Sequence, residues 1–239
     1  KIMIDSDVCS MKKWLEVDRF PMGKYPSKFS PTLMQQIAIN IAISENDRKE
    51  KIFSVNGPPG TGKTTLLKEI IASNVVQLAE VLIKYGISGS NFVPRKVEST
   101  SNARYTEKYY EIPEEISKYG ILVVSNNNGA VENITLDLPK SGDMEKDKTR
   151  TDYFDRKINK EVYFSAVADN LLGKEGGAWG LISARMGRKS YVTEVLESCV
   201  FAKKNDASDK VTLDLAREDS ISWDEAIDKF NVAKRKVLL

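Results

Sequence analysis

The stretch KIFSVNGPPGTGKTTLLKEI, residues 51–70, restricts the fold more than any other part of the chain. Five strand-like residues run into a glycine- and proline-rich turn, and that turn opens directly into a helix-periodic segment. The spacing is G-x-x-x-x-G-K-[ST], with Gly57, Gly62, Lys63 and Thr64 in the fixed places. A triphosphate needs many donors converging on its oxygens. Backbone N–H groups supply them only where the chain curls tightly, and Gly60 and Gly62 permit that curl. The helix that follows presents its positive end to the anion. In this chemistry Lys63 reaches the β- and γ-phosphates, and the Thr64 hydroxyl ligates Mg²⁺. The expected cofactors are therefore ATP and Mg²⁺. Lys63 and Thr64 carry the chemistry, Thr64 is the metal ligand, and Gly57, Pro58, Pro59, Gly60, Thr61, Gly62, Lys63, Thr64 and Thr65 form the cradle.

The surrounding pattern agrees with such a site. Ser30 is a plausible N-cap with Pro31 at the first helical position, and Leu33, Met34, Ile37, Ala38 and Ile41 recur at helical spacing. Lys63 to about Tyr85 reads as a long helix with Leu67, Ile70, Ile71, Val75, Leu78 and Leu82 on one face, and Gly86 as its C-cap. Residues 87–110 are polar and read as a surface insertion. GILVV, residues 120–124, is a continuous apolar run, as in a strand buried on both faces of a parallel sheet. AVENITLDL then reads as a helix that stops at Pro139. Alternating strands and helices predict an α/β fold with a parallel sheet, extended by a mainly helical region. The expected organisation is a lead-in over 1–30, a P-loop core over 31–139, and a charged loop with a mainly helical insertion over 140–239.

Composition removes several chemistries. The chain of 239 residues contains no histidine, which excludes histidine bases, Ser-His-Asp catalysis and histidine metal sites. Cys9 and Cys199 are far apart and lack metal-ligand spacing, so free thiols in a reducing cytoplasm are expected. With a net charge of only +2, any nucleic-acid contact needs a local arrangement of donors rather than a global field. No apolar run approaches the ~18 residues of a membrane span, and the N-terminal text lacks a secretion signal. The first residue is Lys rather than Met, which suggests a piece of a longer protein.

Two further stretches carry a family resemblance. The spelling GPPGTGKT is shared by AAA+ ATPases and by Upf-like superfamily 1 helicases. Upstream, Gln35-Gln36-Ile37-Ala38-Ile39 resembles the Q-x-x-A-[VI] element of the latter group. That resemblance implies that Gln35, or failing it Gln36, reads the adenine edge, since an amide offers one donor and one acceptor. Downstream, ILVVSNNNGAVENITLDLP resembles motif Ia of the same helicases, with Asn127, Asn128, Ala130, Val131, Glu132, Asn133 and Ile134 in register. It implies that Asn126, Asn127, Asn128 and Gly129 contact the phosphodiester backbone of a single strand of DNA or RNA, without reading its sequence. YFSAVADNLLGKEGGAWGLISARMG is similar, more loosely, to bacterial Upf-like proteins. The implied protein is an ATP-dependent helicase or translocase with RecA-like domains, moving 5′ to 3′, whose remaining helicase domains are its partners.

The pattern also breaks. A motor needs an apolar strand ending in Asp-Glu. The one Asp-Glu-Ala stands in SISWDEAIDKF, where Ser222-Trp223-Asp224-Glu225 spells a helix capping box instead. Trp223, Ala226, Ile227, Phe230, Ala233 and Val237 follow at helical spacing. The chain is therefore expected to bind ATP–Mg²⁺ without turning it over alone. A protein-remodelling AAA+ ATPase and a non-catalytic nucleotide-binding scaffold are the alternatives.

Overall fold

The computed structural model describes residues 7–27, 29–44, 52–58, 60–85, 94–96, 108–140, 164–172, 177–199 and 222–238. They fall into two compact units. The first comprises Lys1–Tyr25, Thr32–Leu122 and Trp223–Leu239, and the second Pro26–Pro31 and Val123–Ser222.

In the first unit, α1 (Val8–Trp14) is capped by Asp7, whose carboxylate accepts from the Cys9 N–H. A short 3₁₀ turn, Val17–Arg19, follows. Helix α2 spans Leu33–Ile43 with Thr32 at its N-cap. It therefore starts later than the Ser30–Pro31 cap expected. The reason is a Thr32-x-x-Gln35 capping box, in which the Gln35 side chain reaches back to the Thr32 N–H at 2.8 Å. The face shifts accordingly. Ile37, Ile39 and Asn40 are buried, whereas Leu33 and Met34 are exposed. Asn40 is wholly buried and fully used: its amide donates to the Trp14 carbonyl at 2.7 Å and accepts from Gln36 Nε2 at 2.8 Å. A buried amide with both ends satisfied pins α1 to α2.

Helix α3 is the spine of this unit, Lys63–Tyr85. It buries Leu66, Lys68, Glu69, Ile71 and Ser73, while Val75 is exposed. The lead-in lies on it: a Cβ at Gly23 would stand 2.5 Å from the Ala72 carbonyl, so only glycine lets the chain pass there. Tyr25 donates its N–H to Glu69 Oε2 at 3.1 Å. Lys68 places its ammonium 5.4 Å from the Tyr25 ring centroid. Two short strands, β1 (Pro94–Lys96) and β2 (Lys108–Tyr110), pair antiparallel, Arg95 opposite Tyr109. They form a two-stranded sheet inside the segment expected to be a featureless insertion. A short helix, α4 (Glu114–Ser117), touches α3 through a 2.8 Å hydrogen bond from the Tyr85 hydroxyl to Glu115.

The second unit holds α5 (Asn128–Asp137), α6 (Ser165–Leu172) and α7 (Lys189–Cys199). Its core includes Leu138, Val167, Ala168 and Leu171. Helix α8 (Trp223–Leu238) returns to the first unit, where Lys234 pairs with Glu80 of α3 at 2.7 Å.

The parallel sheet expected from residues 51–55 and 120–124 is not seen among the described residues. Residues 52–58 and 121–125 hold no regular secondary structure and join no ladder, and the one sheet among the described residues is antiparallel β1–β2. Their apolar side chains are correspondingly open: Ile52 is 85% exposed, Leu122 82% and Val124 78%. A strand obtains burial from its neighbours, and an apolar run specifies the need for neighbours rather than their identity. Gly86 and the charged residues 141–160 lie outside the described residues.

Candidate functional site

The loop between residues 52–58 and α3 forms a tight turn. Gly60 and Gly62 take left-handed backbone angles, φ 81° and 76°. A β-carbon is disfavoured at both, so the turn demands glycine twice within three residues. Thr61 closes the curl with its N–H and hydroxyl, which donate to the Pro58 carbonyl at 3.4 and 2.8 Å. Lys63 opens α3, and its ammonium donates to the carbonyls of Gly57 at 2.6 Å and Pro58 at 2.8 Å. Three donors of the turn thus meet the Gly57 and Pro58 carbonyls, and Thr64 is exposed on the first turn of the helix. Pro59 lies outside the described residues.

This geometry fits a triphosphate with its metal. Nothing lies within 4 Å of a Cβ built at Gly60, so the turn is open on that side to an incoming group. The first N–H groups of a 23-residue helix have no intrahelical partners and lie next to the turn in sequence. Among the described residues no group of three His, Cys, Asp or Glu side chains could hold a metal. A Mg²⁺ here would take Thr64 plus phosphate and water oxygens, which is how magnesium usually binds beside nucleotides.

Gln35 sits against this loop. Its Nε2 donates to the Thr61 carbonyl at 2.7 Å and reaches the Gly62 carbonyl at 3.5 Å, while Oε1 accepts from Thr32. A Cβ at Gly62 would collide with that Nε2. Gln36, the alternative for the same role, spends its Nε2 on Asn40.

The second cluster of sequence-derived candidates lies in the second unit. Asn127 is the N-cap of α5, and its Oδ1 accepts from Gly129 N–H at 3.0 Å and Ala130 N–H at 3.3 Å. Its own N–H donates to the Ser125 hydroxyl at 3.0 Å. Helix α5 consequently starts at Asn128, two residues before the apolar pattern suggests. Asn126, Asn127 and Gly129 are exposed.

The other end of α5 is held by residues the sequence did not single out. The Trp179 N–H donates to the Pro139 carbonyl at 2.8 Å, its indole N–H to Leu138 at 3.0 Å, and the Ser183 hydroxyl to Thr135 at 2.8 Å. These donors satisfy carbonyls that a helix end leaves unpaired. Asp169 of α6 fixes the start of that segment by accepting from the N–H groups of Gly177 and Ala178. Midway, Arg185 bonds Glu132 at 3.2 Å and the Leu171 carbonyl at 3.1 Å, and stacks 4.2 Å from the Tyr191 ring centroid. The Tyr191 hydroxyl donates to the same Glu132 oxygen at 3.3 Å. The sequence offered only the loose family similarity of residues 163–187, in which Trp179, Ser183 and Arg185 stand.

The Asp224-Glu225 pair falls in the first turn of α8, and Glu225 is engaged by Lys229 at 2.7 Å. It is a helix start, as its capping-box spelling suggests.

A turn with two left-handed glycines that leads into a helix opened by a lysine and a threonine has the backbone form of a P-loop. A family model described as an AAA domain, of the superfamily 1 helicase type, matches residues 33–162, just over half of the chain. The chain belongs to that family, the AAA_11 domains, which is typical of helicase NTPases. A P-loop AAA domain implies ATP binding. No curated protein and no solved structure matches the chain. No helix among the described residues is long and apolar enough to cross a membrane.

Proposed function

We propose that this chain supplies the ATP-binding part of an ATP-dependent helicase or translocase acting on single-stranded nucleic acid. The observation that carries the reading is the Gly57–Thr65 turn. Its two left-handed glycines lead directly into the mouth of α3, inside a helicase-type AAA domain. Lys63 would exchange its two loop carbonyls for β- and γ-phosphate oxygens, and Thr64 would hold Mg²⁺. Bound ATP supplies the free energy of its γ-phosphate, and the loop's part is to orient that group and offset its charge. The exposed apolar residues Ile52, Leu122 and Val124 suit strands of a RecA-like parallel sheet whose pairing partners are not among the described residues.

The Asn126–Gly129 turn at the head of α5, in which Asn126, Asn127 and Gly129 are exposed, is the proposed track contact. It combines side-chain amides with the positive end of a helix, both suited to phosphodiester oxygens. The direction carried by the resemblance is 5′ to 3′, which unwinding of 5′- and 3′-tailed duplexes by the helicase-competent protein reads. With Asp224 and Glu225 committed to α8, the chain binds ATP–Mg²⁺ without steady turnover.

Two measurements test this. Calorimetry with MgATP should give binding that Lys63→Ala weakens about 100-fold, the scale of a charged contact to phosphate of roughly 3 kcal/mol. Binding of a labelled single-stranded oligonucleotide should fall steeply between about 50 and about 200 mM salt, as condensed counterions are released. Salt-independent binding would remove the nucleic-acid half of the proposal, and failure to bind MgATP would remove the other half.

A further inference from the structure

Helix α7 begins in a way that its own electrostatics disfavour. Arg188 stands at its N-cap: the Val192 N–H donates to the Arg188 carbonyl at 3.1 Å, and Lys189 is the first helical residue. The usual N-cap is Ser, Thr, Asn or Asp, whose oxygen accepts from first-turn N–H groups. A guanidinium has no acceptor to offer. No acidic residue in the first turn offsets the positive end of the helix. Two exposed cations stand there instead, beside the exposed Met186, Gly187 and Ser190. Among the described residues no carboxylate pairs with either cation. The head of α5 differs, since Asn127 already accepts from two N–H groups there.

The two helix heads are tied together. Glu132 lies one turn into α5, and its Oε1 takes the Arg185 guanidinium at 3.2 Å and the Tyr191 hydroxyl at 3.3 Å. Tyr191 is the third residue of α7. Each head is therefore within roughly 6 Å, along its own axis, of a residue in this contact. Arg185 also neutralises Glu132, which would otherwise repel a polyanion. The guanidinium of Arg188 lies 5.7 Å from the Tyr191 ring centroid, a contact that steadies it without using its N–H donors.

We infer that Arg188 and Lys189 form a second phosphodiester contact, which continues the one at Asn126–Gly129 along the same single strand. This rests on the nucleic-acid reading above, and it adds residues that lie beyond the matched family domain, 33–162. Two anion-accepting heads held by one shared carboxylate suit the repeated phosphates of a strand better than one isolated anion. Cations of this kind fix the strand's path and leave its sequence unread.

The experiment compares the chain with the double variant Arg188→Gln, Lys189→Gln, and with Lys12→Gln, Lys13→Gln, which removes the same charge from the exposed side of α1. A labelled oligodeoxythymidine is titrated into each at several salt concentrations. The first variant should bind about tenfold more weakly at low salt, and its slope of log affinity against log salt should flatten by about 1.4, two contacts at roughly 0.7 each. The α1 variant should match the parent, and MgATP binding should be equal in all three. Lys189→Gln alone leaves the Arg188–Tyr191 contact in place and covers the case in which the double variant folds poorly. It should flatten the slope by about half as much. Without oligonucleotide it should melt no lower than the parent, because a cation has left the positive end of a helix.

An unchanged slope in both variants, or an equal loss in the α1 variant, overturns the inference. If Asn127→Asp still weakens binding in that case, the nucleic-acid reading stands without it. A lower melting temperature for Lys189→Gln makes the lysine a part of the fold and overturns it as well. An equal loss toward phosphatidylserine vesicles gives the patch to a membrane surface instead. If the parent binds no oligonucleotide, the nucleic-acid reading fails and this inference with it.

Discussion

The two candidate surfaces are shaped by different means. The phosphate turn is held from within: left-handed glycines, the Thr61–Pro58 bonds and Lys63 on its own loop's carbonyls set its curvature, with one outside contact from Gln35. The Asn-rich turn is short and plain, a single N-cap with a serine behind it. Its helix is instead secured from far along the chain, by Trp179 and Ser183 at the C-terminal carbonyls and by Arg185 and Tyr191 on Glu132. A site whose precision lies in its backbone tolerates few changes in the loop itself. A site placed by remote side chains tolerates loop changes and fails when the support is cut.

After the loss expected of Lys63→Ala, the largest effect should come from Gly62→Ala. The methyl group meets an unfavourable left-handed backbone and the Gln35 amide together, so MgATP affinity should fall more than about tenfold, against a strain of roughly 1–2 kcal/mol for the backbone alone. Gly60→Ala carries the strain without the collision and should lose less, and equal losses would show that the collision with the Gln35 amide adds nothing. Next is Arg185→Ala, which leaves Glu132 with Tyr191 alone and uncovers the Leu171 carbonyl. The pair is partly exposed, with side chains 21% and 37% accessible. Screening therefore limits the cost to about 1–2 kcal/mol, read as a lower midpoint in urea, with weaker strand binding and unchanged MgATP binding.

Asn127 gives a finer cut. Asn127→Ala should cost about 1 kcal/mol as a lost N-cap. Asn127→Asp keeps the cap, and so keeps the melting temperature, but sets a negative charge where phosphates are proposed to lie. Strand binding that survives Asn127→Asp would reduce this turn to a helix start.

The smallest expected effect is a pH dependence at Glu69. Burial pushes its carboxyl above the ordinary range, opposed in part by the Tyr25 N–H and by Lys24 nearby. Its Oε1 is buried with no hydrogen-bond partner among the described residues. A raised folded value means that this group favours folding most below its unfolded range, and that the contribution is lost as pH rises through the raised one. Wild type should therefore gain stability relative to Glu69→Gln as pH falls through the carboxylate region. Parallel melting curves at every pH would show that burial leaves no mark on stability.

What could be read from the sequence follows the range of the forces. The glycine turn and the bounds of α3 were legible because glycine spacing and helical period act within a few residues, but its buried face was not: of the expected stripe Ile71 is buried and Val75 exposed, while Leu66, Lys68, Glu69 and Ser73 are buried instead. The start of α2 was misplaced at Ser30–Pro31, although Thr32-x-x-Gln35 was spelled out; two local cap signals competed, and the one with a reciprocal side chain won. Asn127 likewise capped α5 two residues ahead of its apolar pattern. The support of α5 was illegible, since Arg185 and Tyr191 meet Glu132 across 53 and 59 residues and no local pattern marks such a meeting. The apolar runs at 51–55 and 120–124 were read as strands, and no ladder forms there among the described residues; ladders depend on partners that periodicity does not name.

The 2.7 Å bridge from Lys234 to Glu80 has a consequence in time. Helix α3 is clasped on one flank by the lead-in at Tyr25 and on another by a helix made 154 residues later. Contacts so distant along the chain close late in folding. On a ribosome, the nucleotide-bearing half would therefore wait, with its central helix only partly covered, until the last of these residues emerged.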